Sequence, residues 1–488
     1  MFLRPITLIR SAALAFAMST PALAEDISFT PCALTGSSGN GNLHAECATW
    51  QRPLDPSNPD GEQIDLFLAK LKSTSNTPAD DAFTLINGGP GGSSVDLMIQ
   101  FAPLLSAFTR ERDVLVIDQR GTGRSSRLTC EGIADDPDNY DPDKVPELIK
   151  DCLERLPFDP IFFTTSVAVE DLEAMRLGLG YEQLSIYGVS YGTRVAQHYM
   201  RTYPHSSRAV ILDGVVPPSE VLGSQIALHS QHALDNVFVR CAEQPTCADV
   251  FGDIKASFEL VSNQLKESPI QMTLAHPVTG IRTELELGHP QLVAWLRFSL
   301  YAPETTALIP VILNEAAKKQ SYTPIASNAL RMLHNLKTSM AYGMHNAVIC
   351  TEDAPFYADE QVDFASLSAT YMGREMYDTL HTLCAEWPRG FMHETMKQPL
   401  QSEVPTLVLS GENDPITPPS WGKAVMPGLS NAIHIVAPGQ GHGTISRGCI
   451  PRLIESFVEE PNPHAIDLAC IERLQPFPFF VDLLGPTP

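Results

Sequence analysis

One serine of this chain lies in a setting that suits a nucleophile. Ser190 is the centre of residues 188–192 (Gly-Val-Ser-Tyr-Gly), between an apolar run at 184–186 and a helical pattern that stops at Pro204. A serine on a sharp turn from strand to helix presents its hydroxyl above the edge of a sheet. Glycines two positions away let the strand and the helix pass closely, because they carry no side chain. A simple glycine-rich turn is the alternative, which only the surrounding sequence can exclude.

Two later residues could serve as the base and the acid that a serine nucleophile needs. Asp414 follows the apolar run 405–410, and His442 follows the apolar run 432–436. Asp414 alone could be a turn residue before a proline, and His442 alone could be a surface histidine among glycines. Because the three occur in the order serine, aspartate, histidine, each after a predicted strand, we predict that Ser190, Asp414 and His442 form a catalytic triad.

A glycine-rich segment at 87–94 (Asn-Gly-Gly-Pro-Gly-Gly-Ser-Ser) follows the apolar run 82–86. It could be a flexible turn or a phosphate cradle, but the Lys-Ser/Thr of a phosphate-binding loop is missing. The remaining functional interpretation is an oxyanion loop, whose glycines let backbone N–H groups approach a substrate carbonyl. We expect the oxyanion hole to use the N–H of Tyr191 and one from this loop, assigned to Gly89.

Other conspicuous motifs have plainer explanations. Asp118 and Arg120 follow another short strand, and we expect charge-assisted hydrogen bonds from them to tie their loop together. His393-Glu394 begins like a zinc-protease motif, but Lys397 occupies the position of the second histidine. We therefore predict no metal site and no cofactor.

The elements that must position these residues alternate between strands and helices. The apolar runs lie at 82–86, 114–117, 184–186, 209–212, 405–410 and 432–436. This alternation favours an α/β fold, with a mostly parallel sheet covered by helices. The segment after Pro218 is mainly helix-like, with one hairpin expected at 272–287, and we interpret it as an inserted cap. The predicted division is a signal peptide at 1–24, core at 25–218, a helical cap at 219–398, and core with a tail at 399–488.

The N-terminal segment has the features of a cleaved signal peptide. Arg4 and Arg10 precede the short apolar run 11–18, and an Ala-x-Ala site ends at Ala24. The apolar run is too short to span a bilayer, so we expect an exported protein, periplasmic or secreted, without a stable membrane anchor. The formal charge of −24 argues against nucleic acid as a partner. The oligomeric state stays open.

All ten cysteines follow the predicted cleavage site, and an even number in an exported chain indicates disulfides. Eight cysteines allow about 105 connectivities and ten allow about 945, so the sequence does not choose rigorously. Pairing of chain neighbours is the simplest arrangement. The expected pairs are then Cys32–Cys47, Cys130–Cys152, Cys241–Cys247, Cys350–Cys384 and Cys449–Cys470.

Taken together, these motifs resemble those of the prolyl and tripeptidyl aminopeptidase family of α/β-hydrolases. The matching blocks begin at Asn87 (NGGPGGS), Asp118 (DQRGTGRS), Leu172 (LEAMRLGLG), Gly188 (GVSYGT) and Gly411 (GENDP). The similarity includes the long cap and the cysteine-bearing tail of the secreted tripeptidyl-type members. Asn87 is a departure, because smaller relatives often carry histidine there. The resemblance implies an α/β-hydrolase fold and serine-dependent release of residues from a free peptide N-terminus.

An exopeptidase of this kind needs a negative charge for the substrate ammonium group, and in this family acids of the cap serve that role. The resemblance points to Glu352 and Asp353, although a salt bridge within the cap accounts for both equally well. An esterase on the same fold is the enzymatic alternative, since fold and triad do not determine the acyl group. A binding module without catalysis would lack a triad member, and none is missing. Epoxide and haloalkane hydrolases need a carboxylate nucleophile, which Ser190 is not.

Overall fold

The computed structural model describes residues 27–37, 39, 41–130, 144–357, 362–482 and 484–486. The predicted signal peptide at 1–24 lies outside these residues. Among the residues that are described, no helix combines the length and the apolar character needed to cross a membrane.

Within the described residues, nine of eleven strands form one sheet, and the other two form a separate hairpin. The strands are β1 (Thr30–Thr35), β2 (Asn42–Pro53), β3 (Gln63–Leu71), β4 (Asp81–Ile86), β5 (Asp113–Ile117), β6 (Gln183–Val189), β7 (Ser207–Asp213), β8 (Ile270–Ala275), β9 (Arg282–Leu287), β10 (Thr406–Gly411) and β11 (Ala432–Ala437). The sheet has the order β1-β2-β3-β5-β4-β6-β7-β10-β11. Strands β5 to β11 of this order are parallel, and β1, β2 and β3 extend it in antiparallel fashion. The predicted α/β class is confirmed.

Helices cover both faces of the sheet. In the described part of the chain they are α1 (Ser94–Leu105), α2 (Val145–Arg155), α3 (Thr165–Gly178), α4 (Tyr191–Thr202), α5 (Ile226–Glu243), α6 (Pro245–Phe251), α7 (Ile254–Glu267), α8 (His289–Ser299), α9 (Pro303–Thr306), α10 (Ile309–Lys319), α11 (Thr323–Ser339), α12 (Tyr342–Glu352), α13 (Phe364–Ser368), α14 (Glu375–Glu386), α15 (Pro419–Val425) and α16 (Ile450–Glu459). Side chains alternate along a strand, so neighbouring residues enter different cores. In β4, Ala82 and Ile86 pack with α3 and α4, whereas Phe83 and Leu85 pack with α1 and α16.

The stretch between β7 and β10 contains helices α5 to α14 and the β8–β9 hairpin. The predicted hairpin at 272–287 corresponds to two antiparallel strands joined by the turn that contains Gly280. Much of this stretch packs around its own hydrophobic cluster, which includes Leu234, Trp295 and Ile325. Ile416 and Phe479, from outside the stretch, belong to the same cluster. The helical insert therefore packs against the acid loop and the C-terminal tail, while its exact limits as a cap stay a prediction.

Five disulfides join cysteines that are neighbours along the chain. The pairs are Cys32–Cys47, Cys130–Cys152, Cys241–Cys247, Cys350–Cys384 and Cys449–Cys470. The fourth pair connects α12 to α14 within the insert, and the fifth connects the start of α16 to the tail. Such a set of disulfides is typical of proteins that fold in an oxidising compartment.

Candidate active site

The turn between β6 and α4 holds Ser190 in a conformation that few residues other than glycine adopt. Its φ is 56° and its ψ is −127°. The flanking glycines permit this turn, because a β-carbon on Gly192 would lie 2.2 Å from the Ile86 carbonyl oxygen. A β-carbon on Gly188 would lie 2.5 Å from the carbonyl oxygen of Gly192. A strained serine at such a strand-to-helix turn is the geometry of a nucleophile elbow.

The loops that follow β10 and β11 bring Asp414 and His442 into direct contact. His442 Nδ1 donates to Asp414 Oδ2 over 2.8 Å. The other carboxylate oxygen, Oδ1, accepts the backbone N–H groups of Ile416 and Thr417, each at 2.9 Å. Thr417 Oγ1 adds a bond of 2.8 Å to Asp414 Oδ2 and lies 3.1 Å from His442 Nδ1. The carboxylate is thus held rigidly and orients the imidazole.

The insert also holds His442 in place. Its backbone N–H donates to the carbonyl oxygen of Tyr301, just beyond the end of α8, over 2.8 Å. The Tyr301 ring stands edge-on to the imidazole, with 5.1 Å between the ring centres. Burial lowers the pKa of His442, but the charge and hydrogen bond of Asp414 and the charge of Asp213 outweigh it, so the net pKa is raised. A histidine in this setting is a stronger base than a free one.

The nucleophile turn and the histidine loop meet at the end of β7. Ser190 N–H donates to the carbonyl oxygen of Asp213 over 3.0 Å. A β-carbon on the next residue, Gly214, would lie 3.1 Å from His442 Cε1. A β-carbon on Gly443 would lie 3.8 Å from Val189 Cγ2, so the histidine loop also passes close to the end of β6. The structure therefore brings the three predicted triad residues to one edge of the sheet.

The glycine-rich loop after β4 lies against the nucleophile. A β-carbon on Gly88 would lie 2.7 Å from Ser190 Cβ and 3.2 Å from Ser190 Oγ. The Gly88 N–H donates to Asn87 Oδ1 over 2.7 Å, which leaves Gly89 as the next donor along the loop. Tyr191 is the first residue of α4, so its N–H has no acceptor within the helix. Tyr191 thus directly follows Ser190, and Gly89 directly follows the glycine that lies against it, while their role as oxyanion donors stays a prediction.

Contacts with the insert brace this loop from the other side. Gly91 accepts a hydrogen bond from the Ala341 N–H over 3.0 Å, and His345 Nδ1 donates to the Pro90 carbonyl oxygen over 3.0 Å. Asn87, the residue at which the sequence departs from smaller relatives, donates from Nδ2 to the Ser93 carbonyl oxygen over 2.8 Å. Asn87 therefore braces the loop from within.

The two acids predicted to bind a substrate ammonium group are completely buried. Asp353 accepts two hydrogen bonds from Arg194, at 2.8 and 2.9 Å, and one from Lys397 at 2.9 Å. Its Oδ1 also accepts the Leu222 N–H over 3.0 Å. These contacts correspond to the salt-bridge alternative for Asp353, because its oxygen atoms already have cationic partners.

Glu352 belongs to a hydrogen-bonded chain that ends at the nucleophile elbow. Its Oε1 accepts the Thr165 N–H over 2.7 Å, and its Oε2 accepts the Thr165 hydroxyl over 2.8 Å. The Tyr191 hydroxyl lies 2.6 Å from Thr165 Oγ1 and donates to it, since that oxygen gives its own proton to Glu352. Burial is the main cause that raises the pKa of Glu352 to about 7. Glu352 therefore contacts the residue after the nucleophile through Thr165.

The loop after β5 behaves only partly as predicted. Asp118 ties loops together, with Oδ1 accepting the Ser93 hydroxyl at 2.7 Å and Oδ2 accepting the Arg124 N–H at 2.9 Å. Arg120 instead reaches α3, where it makes two hydrogen bonds to Asp171, at 2.7 and 2.9 Å. Arg120 therefore makes charge-assisted hydrogen bonds as expected, but to a helix outside its own loop. The sequence does not reveal this contact, because Asp171 lies 51 residues along the chain.

Sequence reasoning missed several residues around the triad. Thr417, Asp213 and Tyr301 all contact the residues or loops of the triad, as described above. Asp213 could have been noticed, since it ends a predicted strand, and the loops of a parallel sheet converge at the carboxyl ends of its strands. Tyr301 carried no local signal, because its role depends on how the insert folds back over the sheet.

Comparison with known proteins agrees with this geometry. A sequence profile described as the alpha/beta hydrolase fold matches residues 81–446. Serine protease Hip1 of Mycobacterium tuberculosis is 24% identical over 479 residues, covering 90% of each chain. Tripeptidyl aminopeptidase of Streptomyces coelicolor is 23% identical over 469 residues, covering 89% of this chain and 84% of the relative. Carboxylesterase B of Mycobacterium tuberculosis is 30% identical over 226 residues, covering 42% and 43%. Since the profile spans well over half of the sequence, the chain belongs to the α/β-hydrolase family.

Proposed function

We propose that this protein is an exported serine peptidase that removes residues or short peptides from free peptide N-termini. The observation that carries the proposal is the hydrogen bond from His442 to Asp414 at the sheet edge where Ser190 sits on its strained turn. The similarity to serine protease Hip1 and to tripeptidyl aminopeptidase extends over about nine-tenths of this chain, which supports a peptidase. The five disulfides support folding outside the cytoplasm.

The proposed reaction proceeds through an acyl-enzyme. His442 takes the proton of the Ser190 hydroxyl as the oxygen attacks the scissile carbonyl carbon. The N–H groups of Gly89 and Tyr191 stabilise the resulting oxyanion, and His442 then gives its proton to the departing amine. Water attacks the acyl-enzyme in the second half, with His442 again as the base. Asp414 keeps the imidazole in the tautomer whose Nε2 can accept the serine proton.

A panel of peptide substrates tests the proposed specificity. We expect the protein to cleave di-, tri- and tetrapeptidyl amides with free N-termini, and to lose most activity when the N-terminus is acetylated. A neutral p-nitrophenyl ester of matched size serves as the control, because it needs the triad but no ammonium site. Rapid ester hydrolysis with no cleavage of any peptide would support the esterase alternative, which the partial similarity to carboxylesterase B favours.

The Glu352→Gln variant tests how that acid contributes. We expect kcat/KM to fall by the same factor, about fivefold, for a free-N-terminus peptide and for the neutral ester, because the loss is one hydrogen bond of about 1 kcal/mol in the Tyr191 chain. Thr165→Val is the matched control, since it removes the hydroxyl that links Tyr191 to Glu352 and leaves the Glu352 charge. A rise in KM confined to the free-N-terminus peptide would instead make Glu352 the ammonium ligand.

A further inference from the structure

A second buried carboxylate lies beside the triad, at the end of β7. Asp213 is fully buried, and its Oδ2 accepts the Tyr187 hydroxyl at 2.8 Å and the N–H groups of Thr444 and Ile445 at 2.7 and 3.0 Å. Its Oδ1 accepts the Thr444 hydroxyl at 3.0 Å. All four partners donate, and two of them are backbone N–H groups that cannot accept a proton. Burial raises the pKa of the Asp213 carboxyl above its usual value, and these donors oppose that rise because they stabilise the ionised form.

Asp213 connects the two halves of the catalytic machinery. Its carboxylate holds the segment two and three residues beyond His442, while its backbone carbonyl accepts the N–H of Ser190 at 3.0 Å. The following residue, Gly214, has φ of 64° and packs against the imidazole, where a β-carbon would lie 3.3 Å from Nδ1. A displacement of Asp213 would therefore move the nucleophile and the base relative to each other.

The charge of Asp213 has no ordinary counter-ion. Within the described residues no lysine or arginine is paired with it, and the charged group that acts on its carboxylate is His442. The charged groups that act on the imidazole are Asp414 from the β10 loop and Asp213 from β7, and the Tyr301 ring of the insert and the Thr417 hydroxyl also lie against it. Because buried charges are costly unless compensated, a cation on His442 would stabilise Asp213, and Asp213 would stabilise that cation.

We propose that Asp213 is a second carboxylate for His442: it positions the histidine loop and stabilises the imidazolium that forms when His442 takes the Ser190 proton. Asp213 is a positioning residue, because it touches neither substrate nor the reacting atoms. Asp414 orients the ring through Nδ1, while Asp213 holds the loop beyond it. The inference rests on the proposed role of the triad, but not on any particular substrate.

The Asp213→Asn variant of the full chain tests this role. The readout is the rate of labelling by a fluorophosphonate as a function of pH, because this reaction needs the nucleophile and its base but no specific substrate. We expect the labelling rate at neutral pH to fall about 10- to 100-fold. Since Asp213 raises the pKa of His442, its removal lowers that pKa, and the acidic limb of the profile moves to lower pH. On any substrate that is cleaved, kcat should fall with little change in KM.

Two further variants separate charge from packing. Tyr187→Phe removes one donor to the same carboxylate but leaves its charge and loop contacts, so the acidic limb should stay where it is. Thr444→Val removes the hydroxyl's hydrogen bond and keeps the charge of Asp213. It should lower the labelling rate severalfold without moving the acidic limb of the pH profile, and it replaces Asp213→Asn if that variant does not fold.

Two results would overturn the proposal. One is an Asp213→Asn protein that has a lower melting temperature but labels at an undiminished rate with the acidic limb of its pH profile unchanged. The other is a Thr444→Val protein that labels at the normal rate. If the wild-type chain labels rapidly but cleaves no peptide, the proposed specificity fails while this inference can still be tested.

Discussion

Replacement of Ser190 by alanine should abolish covalent labelling by a fluorophosphonate and lower kcat by about a millionfold. The reason is that in the proposed reaction the acyl-enzyme forms on this hydroxyl, which alanine lacks. The check is labelling of the purified protein followed by mass spectrometry, together with single-turnover kinetics on the best peptide of the panel. The fold should be retained, because alanine removes one oxygen from a turn that the flanking glycines already permit.

An exposed serine provides the control for this experiment. Ser268 lies at the end of α7 in the insert, and its replacement by alanine should leave both labelling and kcat unchanged. Continued labelling of the Ser190→Ala protein at a different residue would mean that the elbow is not the reactive site. In that case the hydrogen bond between His442 and Asp414 would need another explanation.

Replacement of Asp414 by asparagine should lower kcat by about 10⁴-fold while the protein stays folded. An asparagine amide at this position can donate to Nδ1, which favours the tautomer whose proton is on Nε2 and blocks acceptance of the serine proton. The pKa of His442 should also fall, because the charge and hydrogen bond of Asp414 are the strongest influences that raise it. Activity depends on neutral His442, so the acidic limb of the residual kcat/KM profile should shift to lower pH.

Thr417 offers a matched control for the Asp414 result. Its hydroxyl donates to Asp414 Oδ2, the same oxygen that accepts the hydrogen bond from His442 Nδ1, so Thr417→Val weakens the site without removing its charge. We expect a decrease in kcat of about tenfold, consistent with the loss of one charge-assisted hydrogen bond. An Asp414→Asn protein as active as the Thr417→Val protein would contradict the assignment of Asp414 as the triad acid. Asp213, the other acid whose charge raises the pKa of His442, would then become the candidate.

The sequence was sufficient to predict features that depend on residue types close together in the chain. Gly188 and Gly192 predict the nucleophile elbow, because only glycine allows the strand and the helix to approach within the distances found here. The apolar runs predicted the parallel strands, since a strand buried on both faces must be apolar along its length. Ser190, Asp414 and His442 follow such strands in order, and parallel strands end at one sheet edge. The sequence therefore predicts that the three residues lie at the same edge of the sheet.

Only the tertiary structure decided what surrounds these residues. Asp213 and Tyr301 reach the triad because β7 lies beside β10 and because the insert folds back over the histidine loop. The family resemblance suggested Glu352 and Asp353 as ligands of the substrate, and only the structure shows that they are buried against Thr165 and Arg194 between the insert and the core. The physical reason is that burial and ion pairing depend on contacts between residues more than a hundred positions apart. Local sequence determines what a residue can do, and the packing of distant elements determines which partner it finds.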